Sequence, residues 1–142
     1  MSQFFARLTP KQKQCLATIQ TPYYLLDERA IIDNLSITQK VCHESGVKAL
    51  LALKCFATWG VFESMQPYLH GTPSSSLKEV RLGKEYFGGE THAYSVAYAD
   101  HEIKEVLDYC DKIIFNSINN LHISISLMSY FSCINGLKLL HQ

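Results

Sequence analysis

The stretch ALLALKCFATWG, residues 49–60, decides how the chain is read. From Ala49 to Leu53 it is apolar throughout, and the run ends on a lysine, Lys54. With Val47 and Lys48 it forms VKALLAL (47–53), whose length and content predict a buried strand. A lysine delivered at the end of such a strand stands over an apolar floor. Loss of water there disfavours the ammonium form and lowers its pKa. A neutral amine is a nucleophile toward an aldehyde, the chemistry of a Schiff base with pyridoxal phosphate. The alternative is a lysine that merely snorkels to solvent at a strand end. The residues alone leave both open.

Outward from this stretch, strand and helix patterns alternate. PYYLL (22–26) is short, apolar and aromatic, hence strand-like. Asp27 is placed to cap a helix running to about Ser45, with Ile31, Leu35, Thr38 and Cys42 on one face and Gly46 as its stop. After Lys54 comes a loop with Thr58, a helix from about Trp59, and a break near Pro67. Gly71 to Ser75 reads as a short connection or strand. The tetrad SLKE, Ser76 to Glu79, is a capping box, and the helix behind it ends before Gly88 and Gly89. THAYSVAY (91–98) predicts another strand, Asp100 the cap of a helix with Ile103, Val106, Leu107 and Cys110, and KIIFNS (112–117) a further strand. Repeated strand–helix units predict a parallel α/β sheet with helices packed on it. Several strands finish on polar groups: Lys54, Ser74 to Ser76, Tyr98, and Asn116 with Ser117. Ligands of α/β folds bind at these carboxyl ends.

Composition narrows the function classes. The 142 residues suit one compact domain, and 47% hydrophobic content supports a core. Thirteen basic and thirteen acidic side chains cancel, so no basic stripe argues for nucleic acid. The N-terminus does not read as a signal peptide, and no apolar run is long enough for a membrane span. These features predict a cytoplasmic protein. Five cysteines at wide spacing, with no CxxC, predict reduced and mostly buried thiols. The six histidines show neither HxH nor HExxH spacing, so no metal site is expected. Ser74, Ser75 and Ser76 either bind an anion at a helix start or simply cap it. Trp59, Tyr94 and Tyr98 read as packing residues.

TPYYLLDERAIIDNL, ALLALKCFATWGVF, GTPSSSLKEVRLGKEYFGGETHAYSVAY and KIIFNS together resemble the carboxynorspermidine decarboxylase family over roughly residues 18–118. That family belongs to the fold-type III, alanine-racemase-like pyridoxal phosphate decarboxylases. LALKCFATWGVF and SSLKEVRLGKEYFGGE carry most of the specificity. The resemblance implies the N-terminal part of a (βα)8 TIM-type barrel, with Lys54 as the cofactor lysine. It implies that Ser75, Ser76 and Glu79 lie in the loop lining the cofactor, and that Tyr98 and Asn116 lie at the barrel mouth. It implies decarboxylation of carboxynorspermidine or carboxyspermidine to norspermidine or spermidine in polyamine biosynthesis, by a homodimer.

The chain departs from that pattern in length. A complete barrel takes about 250 residues, and the family adds a C-terminal β-domain. The expected organisation is therefore 1–118 as the first part of the barrel and 119–142 as a divergent tail, through a frameshift or truncation. In that tail charge nearly vanishes, Lys138 being the one Lys, Arg, Asp or Glu after Lys112. An unclosed barrel leaves an edge strand and an interior face exposed, which predicts poor solubility or edge pairing between copies. Two alternatives stand beside the enzyme: a non-catalytic remnant, and a pyridoxal phosphate carrier.

Overall fold

The computed structural model describes residues 2–95, 98–122 and 138–140. Two helices that the sequence reading passed over open the chain, α1 (Ser2–Arg7) and α2 (Pro10–Thr18). Their signal was present. The Thr9 hydroxyl accepts the Gln12 N–H at 3.3 Å, Gln12 Oε1 accepts the Thr9 N–H at 2.8 Å, and Pro10 takes the first helical position. Residues 22–26 are not the expected strand. They pair with no strand among the described residues, and Tyr23, Tyr24, Leu25 and Leu26 remain exposed. An extended segment becomes a strand only when a neighbour satisfies its backbone.

The helix α3 (Glu28–Ser45) follows as expected. Asp27 Oδ1 accepts the Ala30 N–H at 3.1 Å, and Gly46 closes the helix in the left-handed conformation. Ile31 and Leu35 are half-buried and Cys42 is buried, so the predicted face is the packed one. Beyond Lys54 the chain makes a 3-10 turn (Trp59–Val61), a short helix α4 (Phe62–Met65) and a second 3-10 turn (Gln66–Tyr68) around Pro67.

The sheet holds β1 (Gly71–Ser74), β2 (Glu90–Ser95), β3 (Lys112–Phe115) and β4 (Lys138–Leu140), all parallel and side by side in chain order. Helix α5 (Leu77–Leu82) continues as a π-turn (Gly83–Phe87) and connects β1 to β2; α6 (Asp100–Tyr109) connects β2 to β3. A helical turn over 118–122 follows β3. Most of the tail expected over 119–142, residues 123–137 with 141 and 142, lies outside the described residues. Asp100 is not the cap of α6. Ala99 holds that position, Glu102 accepts its N–H at 3.4 Å, and Asp100 sits in the first turn, where a carboxylate suits the helix dipole.

The decisive stretch 47–53 lies along the outer edge of β1, as an incomplete strand. Leu51 N–H donates to Gly71 C=O at 2.9 Å, and Leu53 N–H to Pro73 C=O at 3.2 Å. Both partners advance by two, so the segment runs parallel to β1. The N–H due back to the Leu51 carbonyl belongs to Pro73, which has none. Near the start of β1, His70 N–H donates to Ala49 C=O at 2.8 Å, and Gly71 has φ +151°. There the backbone of β1 passes so close to Glu90 that a Cβ on Gly71 would fall 1.9 Å from the Glu90 carbonyl. Only glycine fits.

These pairings set a row across the sheet: Leu53, Ser74, Ala93 and Ile113. All four are 2% exposed or less. They point at the helices. Val80, Ile103, Val106 and Cys110 pack on Ala93 and Ile113 beneath α5 and α6. Phe62, Met65 and Phe87 pack on Leu53, with Ile31 and Leu35 of α3 alongside. Phe62 and Phe87 meet edge to face at 5.2 Å. One sheet face is thus closed by helices, and by alternation the residues on either side of the row face the other way.

Gly83 lies where the π-turn touches the sheet, and a Cβ there would stand 2.2 Å from Thr72 Oγ1. Thr72 is fully buried. Gly83→Ala is expected to destabilise the chain by about 1–3 kcal/mol, read as a lowered denaturant midpoint, and most of the loss should vanish in a Thr72→Ala background. The thiols divide rather than being mostly buried: Cys42 and Cys110 are buried, Cys15 and Cys55 exposed, and Cys133 lies outside the described residues. Burial, and then the Asp111 carboxylate, push the Cys110 thiol up to about 11. Alkylation counted by mass should therefore label Cys15 and Cys55 in the native chain, with Cys42 and Cys110 labelled only after denaturation.

Candidate functional site

One step beyond the buried row, at the C-terminal rim of the sheet, the chain order brings Lys54, Ser75 and Tyr94 to one level. Adjacent strands lie about 4.8 Å apart, so Lys54 and Ser75 are backbone neighbours. The segment turns there, with Cys55 N–H and Phe56 N–H both donating to Ala52 C=O at 3.0 and 3.1 Å. Leu53 is buried and Lys54, the next residue, is exposed. The apolar floor expected beneath the lysine is present as Leu53, but the water-poor surrounding is not, since Lys54 itself is exposed. Lys54 makes no hydrogen bond or ion pair among the described residues.

Ser75, Ser76 and Glu79 form one hydrogen-bonded unit. Ser76 Oγ accepts the Glu79 N–H at 3.3 Å, and Glu79 Oε2 accepts the Ser75 N–H at 2.6 Å and the Ser75 hydroxyl at 3.0 Å. This is the expected box with the glutamate reaching one residue further back, to the residue before the cap. It fixes the loop between β1 and α5. Ser74 points the other way, into the helix layer, with its Oγ buried and unpartnered.

Tyr98 does not line the mouth. Its ring packs on the cluster of Val80, Ala93 and Ile103, and its hydroxyl is buried with no partner among the described residues. Burial, followed by the negative potential of Cys110, Glu79 and Glu102, pushes that phenol above the ordinary tyrosine range. Asn116 is exposed just past β3. A groove of about 860 Å³ between α2 and the start of α3, lined by Gln12, Leu16, Leu26 and Arg29, contains none of these residues.

The sheet face away from the helices carries a polar stripe along β2: Glu90, His92, Tyr94. Glu90 is its anchor. It pairs with Lys48, with Lys112 at 2.5 Å and with His92 Nε2 at 2.9 Å. The hydrogen bonds from Lys112, then Lys48 and His92, hold its carboxyl well below the usual carboxylate range. This cluster escaped the sequence reading: His92 and Tyr94 stand at period two in the strand predicted over 91–98, but Glu90 lies one residue before it.

Comparison with known proteins bears on the same residues. No family model matches the chain. The carboxynorspermidine/carboxyspermidine decarboxylase of Herminiimonas arsenicoxydans is 65% identical over 101 residues, 71% of this chain and 28% of that protein. Over these residues the chain is homologous to the carboxynorspermidine decarboxylases. The homologue of Campylobacter jejuni is 40% identical over 104 residues, 73% of this chain and 27% of its own. A crystal structure of carboxynorspermidine decarboxylase from that organism, complexed with norspermidine, superposes with TM-score 0.76 at 36% identity, covering 85% of this chain and 31% of the other. The chain spans under a third of the length of the homologues it matches.

A folded carboxyl held below its unfolded value stabilises the fold above about pH 4.3, the unfolded glutamate value, and stops doing so as pH falls through its folded value. Glu90→Gln should lower the melting temperature at pH 7, because Lys48, Lys112 and His92 then face one another unpaired. The gap between wild type and variant should narrow as pH is lowered from about 5 toward 2. A gap that stays constant over that range contradicts the role assigned to Glu90.

Proposed function

We propose that the chain is the lysine-bearing part of a pyridoxal-phosphate-dependent decarboxylase acting on carboxynorspermidine or carboxyspermidine. In this reading the parallel sheet is the first part of a (βα)8 TIM-type barrel, residues 1–118 belong to it, and 119–142 form a divergent tail. A cytoplasmic homodimer producing norspermidine or spermidine completes the reading. One observation carries it: within a stretch 65% identical to such a decarboxylase, Lys54 stands at the C-terminal rim with its amine held by no partner among the described residues. An aldehyde needs an amine that no carboxylate already holds, and Lys54 fits that requirement. When bound, pyridoxal phosphate supplies an electron sink for the pair left behind by the departing carboxylate.

The chain's own residues prepare the rim. Leu53, packed on Phe62 and Met65, roots the lysine in the core. The Ser75–Glu79 hydrogen bonds hold the neighbouring loop in one conformation, so less order is lost when a ligand docks there. Among the described residues no group of three His, Cys, Asp or Glu side chains could hold a metal ion, and no helix is long and apolar enough to cross a membrane.

A second reading, a non-catalytic chain, draws support from the exposure of Lys54. An exposed position does not supply the desolvation that activates a lysine amine. One experiment separates the two. The purified chain is incubated with pyridoxal phosphate, fixed with borohydride and digested, and carbon dioxide release from carboxynorspermidine is measured in parallel. Preferential pyridoxyl label on Lys54 with carbon dioxide release, both lost in Lys54→Ala, is the outcome expected of the decarboxylase. Label without release supports the non-catalytic reading, and label no greater on Lys54 than on other exposed lysines refutes the assignment of Lys54.

A further inference from the structure

We propose that Tyr94 is the ring-contacting residue of the same rim, a site residue that neither the motifs nor the comparisons single out. The inference rests on the Lys54 reading above, and three observations carry it. The first is direction. Thr91 and Ala93 are fully buried toward the helices, so Tyr94, next along β2, points to the opposite face. The second is level. Ala93 pairs with Ser74, and the Leu53 bond to Pro73 sets Leu53 beside Ser74, so Tyr94 and Lys54 both follow that row by one residue. Two strand spacings separate their backbones, about 10 Å. That is room for one aromatic ring between a lysine chain and a tyrosine. The third is availability. Tyr94 is 44% exposed and has no hydrogen bond, ion pair or ring partner among the described residues.

Its neighbours on the stripe differ. Glu90 and His92 are bonded to each other, and Glu90 is held by two lysines besides. Tyr94 alone of the three offers an uncommitted surface, and it is the one at the rim. The group recognised is a flat, electron-poor heteroaromatic ring carrying the aldehyde, the pyridine of pyridoxal phosphate. A phenol face attracts such a ring through dispersion and quadrupole, where an aliphatic side chain of equal area has only dispersion.

The test compares variants of the full chain by the site of labelling rather than by turnover. Wild type, Tyr94→Phe and Tyr94→Leu are incubated with limiting pyridoxal phosphate, reduced with borohydride, and mapped by mass spectrometry. The label on Lys54 is expressed relative to that on Lys40, an exposed helix lysine. Tyr94→Phe should keep the preference for Lys54. Tyr94→Leu, similar in apolar area, should lower it at least three-fold. Equal preference in wild type and Tyr94→Leu overturns the role of Tyr94 while leaving that of Lys54 standing. Absence of any preference for Lys54 in wild type overturns both.

Discussion

The structure depends on one row of side chains, Leu53, Ser74, Ala93 and Ile113, lying side by side across parallel strands and sealed beneath helices. The row needs tight backbone spacing, and small residues keep it. Glycine at 71 lets β1 approach the Glu90 carbonyl, and glycine at 83 lets the π-turn settle on Thr72. Once the row is closed, alternation leaves no freedom to its neighbours. Lys54, Ser75 and Tyr94 follow it on the far side, as His92 and Lys112 precede it.

The two faces of the sheet are therefore chemically unlike. The helix side is apolar, with four buried hydroxyls, on Thr72, Ser74, Thr91 and Tyr98, that find no partner among the described residues. The other side is ionic toward the strand starts, where Glu90 gathers Lys48, His92 and Lys112. It carries an aromatic ring and an amine toward the strand ends. Glu90 thus occupies the lysines at the strand starts, whereas Lys54 at the rim has no ion-pair partner among the described residues. Arg81 and Glu105 pair across α5 and α6, and the Arg81 guanidinium lies 5.8 Å from the Tyr109 ring centroid, binding the outer layer to itself.

Much of this was legible in the sequence, and what was missed has physical reasons. Helix α3 announced itself through Asp27, its apolar face and Gly46, because caps act locally. The SLKE box did the same for α5. Residues 22–26 misled because β-propensity describes a side chain's fit to a half-buried surface, and nothing covers these residues. The 47–53 segment was recognised, but not that Pro73 on the neighbouring strand would withhold a donor from it, since the pairing partner is not written locally. Asp100 was placed one residue late because Glu102 serves the helix start from within. Lys54 was visible at the end of its apolar run, though its exposure was not. Tyr94 was read as packing, since a period-two pattern gives two faces and does not say which one the helices will choose.

The missing donor at Pro73 has a mechanical consequence. A strand stitched along its whole length resists sliding through its main chain. The Lys54 strand is basted on with few stitches, so the aim of its amine is governed by how firmly Leu53 is gripped by Phe62 and Met65. Oily side chains well removed from any charge thereby set where a polar group at the rim stands.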